Sequence, residues 1–140
     1  MQARKGKKMS NLEYLVPPLD LCRKISPGAF EDSVLVWFGV KNHDSTMEVV
    51  PRAELGVTCH MFLQKGLGIL YPAPTLAEIL LELILFGEPC CFWQGGFYVR
   101  DDYGNDEYDM VNASTAGLKL WLEVNKTYRA NKTDKTDKEE

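Results

Sequence analysis

Five carboxylates crowd into nine residues between Asp101 and Asp109, DDYGNDEYD, the densest set of oxygen donors in the chain. Hard cations want several carboxylate oxygens converging on one point. The run lacks the alternating ligand spacing and the downstream bidentate glutamate of a calcium loop, and solvated turn residues account for it equally well. Combined with His60 it would amount to a metal-dependent hydrolase. Spread over one exposed face, the same charges would imitate the phosphate ladder of a nucleic acid. Cys59-His60 and Cys90-Cys91 offer four soft ligands of the kinds that tetrahedral zinc accepts. Neighbouring side chains on a strand diverge to opposite faces and no Cys-x-x-Cys knuckle is present, so buried structural thiols are the expectation. A Cys/His nucleophilic dyad has no support beyond composition. His43 sits in a polar turn signal and is expected to be exposed. Gly66-x-Gly68 precedes a strand-like ILY and a proline rather than a helix, which removes the case for a phosphate loop. No catalytic, cofactor-binding or metal-binding residue is assigned from these features, and no cofactor is called for.

The elements that would have to position such groups are easier to read. In YPAPTLAEILLELILFG, Thr75 can cap a helix while Glu78, three residues on, returns a hydrogen bond to the cap amide. Pro74 keeps the preceding chain extended and Gly87 supplies a left-handed exit. Only Glu78 and Glu82 interrupt the apolar surface from about Thr75 to Phe86. This central helix is therefore expected to be covered by protein on most of its circumference, and Leu80 to be buried. Leu19, Cys22 and Ile25 recur at helical spacing before Pro27-Gly28. Val34 to Val40, VLVWFGV, reads as a buried strand turned by Lys41 to Thr46 into Met47 to Val50. Pro51 to Lys65 reads as a helix on the face of Leu55, Cys59, Phe62 and Leu63.

Gly95-Gly96 predicts a two-residue hairpin loop between Cys90–Gln94 and Phe97–Arg100, with Tyr108, Met110 and Val111 adding a third strand. Asn112 or Ser114 then caps a last helix with Leu118, Trp121, Leu122 and Val124 on its apolar face. The predicted class is α+β: a small antiparallel sheet of hairpins packed against two to four helices. Trp37, Phe38, Phe92, Trp93, Phe97 and Tyr98 all fall on predicted strands, which raises a base-stacking platform. Arg100 alone interleaves a positive charge, so core and interface packing is the expected use.

At 140 residues and 45% hydrophobic content the chain can bury a core without disulfides or metal. Its net charge of -4 includes a basic start, MQARKGKK, so the body is more acidic than that figure and disfavours nucleic acid. Residues 1–9 are expected to be a disordered basic extension, and the purine-codon reading of Arg-Lys-Gly-Lys-Lys makes Met9 a candidate for the true start. Residues 10–128 form one expected domain, and 129–140, rich in Thr-Asp-Lys, a disordered charged tail. The longest apolar run falls short of the roughly 20 residues of a membrane span, and four cysteines without an export signal suit a reducing cytoplasm.

The strand VLVWF, a proline followed by TLAEILLEL, the hairpin strand FYVR and the closing LKLWLE resemble small proteins encoded by phages and integrated mobile elements of gut bacteria. The similarity covers roughly residues 10–125. The chain departs from the group where ILFGEP follows the helix, since a proline or polar turn usually comes sooner. The resemblance implies mobile-element origin and residence in a bacterial cytoplasm, and carries no site residues. The leading functional expectation is a non-enzymatic accessory protein that binds an unknown protein or forms a homo-oligomer, with Trp93 and Trp121 as trial anchors. The alternatives are an acidic inhibitor of a host nucleic-acid enzyme and the hydrolase at Asp101 to Asp109.

Overall fold

The computed structural model describes the backbone of residues 11–139 and the side chains of residues 12–126. The basic extension expected at 1–9, with the start proposed at Met9, lies outside the described residues. Along the chain run α1 (Leu19–Cys22), β1 (Leu35–Val40), β2 (Glu48–Pro51), α2 (Val57–Gln64), β3 (Gly68–Pro72), α3 (Leu76–Leu83), β4 (Cys90–Trp93), β5 (Phe97–Arg100), β6 (Asp106–Asp109) and α4 (Ala113–Glu139). Helices and two small antiparallel sheets make the fold α+β, as the sequence predicts. The contacts gather in two compact units, one ending at Glu78 and one beginning at Ile79.

In the first unit β1 is the central strand, hydrogen-bonded to β2 on one side and β3 on the other, both antiparallel. Leu35, Val36 and Trp37 are all buried, which is why this strand reads as an unbroken apolar run rather than an alternating one. The Pro17 carbonyl accepts hydrogen bonds from Trp37 Nε1 at 3.3 Å and from the Cys22 thiol at 3.5 Å. The turn into β2 falls within the predicted polar run. Asn42 takes a positive φ, and the Thr46 hydroxyl accepts from the Val40 amide while donating to the His43 carbonyl.

Gly39 is the exception in this strand. A Cβ there would lie 2.6 Å from Met47 Sδ, 2.8 Å from Thr46 Oγ1 and 2.9 Å from the Met47 Cα, so the returning chain occupies the space a side chain needs.

Helix α3 starts as its sequence dictates. Thr75 N–H donates to Glu78 Oε1 at 2.9 Å, and Glu78 N–H reaches Thr75 Oγ1 at 3.4 Å. The other carboxylate oxygen of Glu78 accepts from Val34 N–H at 2.9 Å, tying the start of β1 to the start of the helix.

The all-round burial expected for this helix is not found. It ends at Leu83, short of the expected Phe86: Leu85, Phe86 and Gly87 hydrogen-bond three residues back, and Gly87 leaves at φ 121. Ile79 and Leu83 are fully buried, but Leu81 is 67% exposed, Ile84 and Leu85 are exposed too, and Leu80 is only half-buried. A narrow buried stripe of two residues one turn apart, Ile79 and Leu83, therefore replaces the broadly covered circumference.

The second unit is a three-strand meander, β4-β5-β6, lying against α4. The register Trp93↔Phe97 leaves Gln94, Gly95 and Gly96 in the first connection, one residue more than predicted, with Gln94 N–H donating to the Gly96 carbonyl. Both glycines have positive φ, and the Tyr108 hydroxyl donates to the Gly95 carbonyl at 3.0 Å. The third strand is DEYD rather than a segment reaching Val111: Met110 and Val111 fall beyond it and are exposed.

Asn112 caps α4, its side-chain oxygen accepting from Ser114 N–H at 2.9 Å and Thr115 N–H at 3.3 Å. Leu118, Trp121 and Val124 are buried as the periodicity requires, joined by Ala116 and Leu120. The helical backbone runs on to Glu139.

Candidate functional site

Register and pleat divide the second unit's sheet into two faces. Cys91, Trp93, Phe97, Val99, Glu107 and Asp109 share the face toward α4, where Val99 is fully buried and Lys119 stands 3.9 Å from Asp109. Cys90, Phe92, Tyr98, Arg100, Asp106 and Tyr108 share the other. There, Phe92 stacks on Tyr98 with centroids 5.2 Å apart and planes 6° from parallel, and Tyr98 meets Tyr108 at 4.9 Å. Arg100 lies over the Phe92 ring at 5.0 Å and pairs with Asp106 at 2.9 Å. Three half-exposed rings cross three strands in one row. An array of that kind can hold flat or apolar groups by contact.

Strand β4 borders this array. Cys90, Cys91 and Trp93 are exposed, Trp93 at 62%, and the Trp93 and Phe97 rings meet edge to face at 5.0 Å. Trp121, the other trial anchor, is 3% exposed and belongs to the core. The expectation of buried thiols at Cys59, Cys90 and Cys91 is not met, and the buried cysteine is Cys22. Cys59 is half-buried, and Cys90 and Cys91 lie open because β4 is an edge strand. Burial pushes the Cys22 thiol up to about 12, so it stays protonated and inert at neutral pH. Burial, with the neighbouring Cys90 charge, also raises the Cys91 thiol.

The acidic hairpin is structural. Asp101, 4% exposed, accepts Tyr103 N–H at 2.9 Å and Asn105 N–H at 3.0 Å on Oδ1, and the Asn105 side-chain amide at 3.0 Å on Oδ2. It thereby folds the connection from β5 to β6 around itself. Asp102 accepts Glu88 N–H at 2.8 Å. Asp106 pairs with Arg100, and Asp109 accepts Val111 and Asn112 N–H ahead of α4. The carboxylates are thus spent on separate partners. Among the described residues no three of His, Cys, Asp and Glu are gathered as metal ligands would be. His43 and His60 are both exposed, His60 on α2.

Glu107 is the exception in this hairpin. Partial burial, then a hydrogen bond and like charge from Glu123 on α4, raise its carboxyl above 4.5, the ordinary value, against the opposing pull of Lys119. A carboxyl raised in the folded state contributes stability below its unfolded value and loses that contribution as pH rises through the folded one. Glu107→Gln is therefore expected to raise the melting midpoint at pH 7 and to leave it unchanged near pH 3. Calorimetry at the two pH values checks this. An equal gain at both would assign the effect to packing instead of charge.

Phe92 and Tyr98 stand among the aromatic residues placed on predicted strands, while their row with Tyr108, the exposure of β4 and the inward turn of Asp101 are not given by residue spacing. One signal was available: the pairing of Phe92, Tyr98 and Tyr108 follows once the register is known. Among the described residues no helix is long and apolar enough to cross a membrane. Compared with known protein families, curated proteins and solved structures, the chain matches none.

Proposed function

We propose that the protein works by association: a small non-enzymatic accessory protein of phage or integrated-element origin, resident in the bacterial cytoplasm, that binds a second protein or its own copy. The origin and residence rest on the sequence resemblance alone. The observation that carries the association is the exposure of Trp93, paired edge to face with Phe97 beside an uncharged strand. Tryptophan left open to water at the end of such a strand is the type of residue that anchors interfaces, because its large surface is desolvated at little entropic cost. A nucleic-acid mimic needs its carboxylates free and evenly spaced. Asp101, Asp106 and Asp109 are instead held by partners inside their own unit.

The test is to immobilise the wild type and Trp93→Ser, identify what each retains from the bacterial host, and titrate the purified candidate. Trp93→Ser is expected to weaken binding by about 2 kcal/mol, roughly 30-fold. Equal affinity for both, or a wild type that retains no protein and does not self-associate, would overturn the reading.

A further inference from the structure

We propose that β4 is a self-pairing edge, through which two copies of the chain join β4 to β4 antiparallel about a two-fold axis and turn two three-stranded sheets into one of six. This rests on the association reading above and narrows it to one partner. Among the described residues the sheet order is β4-β5-β6, so β4 and β6 are its edges. In an antiparallel ladder alternate residues point their N–H and C=O groups away from the neighbouring strand, and an edge offers those groups to water or to another strand.

Charge separates the two edges. β6 reads Asp-Glu-Tyr-Asp, and three carboxylates in four residues would repel a second copy of that strand. β4 reads Cys-Cys-Phe-Trp, with no charge and no proline, and three of its four residues are exposed. Pro89 before it and the glycine loop after it confine pairing to this segment.

Charge also selects the occupant. Setting β4 of one copy against β6 of another would lay carboxylates along an apolar strand and, being head to tail, would leave a free β4 and a free β6 on every pair. Setting β4 against β4 is isologous, places no like charges across the axis and closes at two copies. Trp93, exposed at the end of the strand, adds apolar area to a hydrogen-bonded seam only four residues long. The pairing is accordingly weak, and fills as concentration rises.

Light scattering on the full chain under reducing conditions, from about 1 to 500 µM, is expected to show the mass rising from 15.9 kDa toward twice that value. Cys91→Lys puts two cations across the axis and is expected to weaken dimerisation at least about tenfold. Val57→Lys, at an exposed position on α2, leaves it unchanged. Should Cys91→Lys not fold, hydrogen exchange on the wild type decides: amides of residues 90–93 gain protection with concentration. A 15.9-kDa species at every concentration, a dimer indifferent to Cys91→Lys, or a dimer protected elsewhere would each overturn the proposal. A strict monomer that still binds another protein through Trp93 sinks this inference and spares the association reading.

Discussion

Trp121→Ala is expected to cost about 3–5 kcal/mol. The side chain is almost wholly buried on α4, on the same helix as the fully buried Leu118 and Leu120, and this helix packs on β5 and β6. Removing the indole takes away its transfer free energy and leaves a cavity that neighbours fixed on a helix and two strands fill only in part. Native domains hold only about 5–15 kcal/mol in total, so a loss of this size approaches unfolding of the second unit at 37 °C. Urea denaturation of both proteins, followed by far-UV circular dichroism, gives the difference directly. A change under about 1 kcal/mol would show that the ring is not an interior group, since surface substitutions usually stay within about 0.5 kcal/mol. Trp93→Ser is the natural comparison. Being exposed, it should scarcely move the midpoint, and the contrast between two tryptophans of one unit separates core from interface.

Asp101→Ala is expected to destabilise by about 2–3 kcal/mol, although it lies in a connection rather than a core. One carboxylate there accepts three hydrogen bonds, two from backbone amides and one from the Asn105 side chain. Bonds to a charged acceptor contribute roughly 1.5–3 kcal/mol each, and water recovers part of the loss once the carboxylate is gone. Asp101→Asn keeps an oxygen for the two amides but turns an NH2 group toward the Asn105 amide, so its loss should be intermediate. Thermal unfolding of the three proteins is expected to rank wild type, Asn, then Ala. A wild-type midpoint for Asp101→Ala would mean the connection is held by its ends alone.

What could be read from residues alone was whatever short-range chemistry decides. The Thr75–Glu78 box, the turn between Val40 and Met47, the Asn112 cap and the apolar face of Leu118 and Trp121 each depend on neighbours a few positions away. The misreadings concern what lies opposite. Leu81 and Leu83 are the same residue type two positions apart, one exposed and one fully buried, and composition carries no sign of the difference. Glu78 was legible as a capping residue, but its second oxygen bonds Val34, a partner fixed by tertiary structure. The acidic hairpin invited a cation because charge density is visible in sequence. Which amide each carboxylate accepts depends on the curl of the connection from β5 to β6, and that inward turn of Asp101 leaves no spacing signature.

The crowding at Gly39 bears on how this protein can change. Alanine, the smallest possible replacement, already meets the main chain of Met47, so the strand offers no gradual route to a bulkier occupant. Thr46 cannot be traded away freely either, because its hydroxyl closes the same turn. A deep mutational scan should therefore find position 39 barren whatever side chains stand at 46 and 47. In an evolving lineage the glycine would stay fixed, held by the backbone opposite it and not by any side chain that could be exchanged.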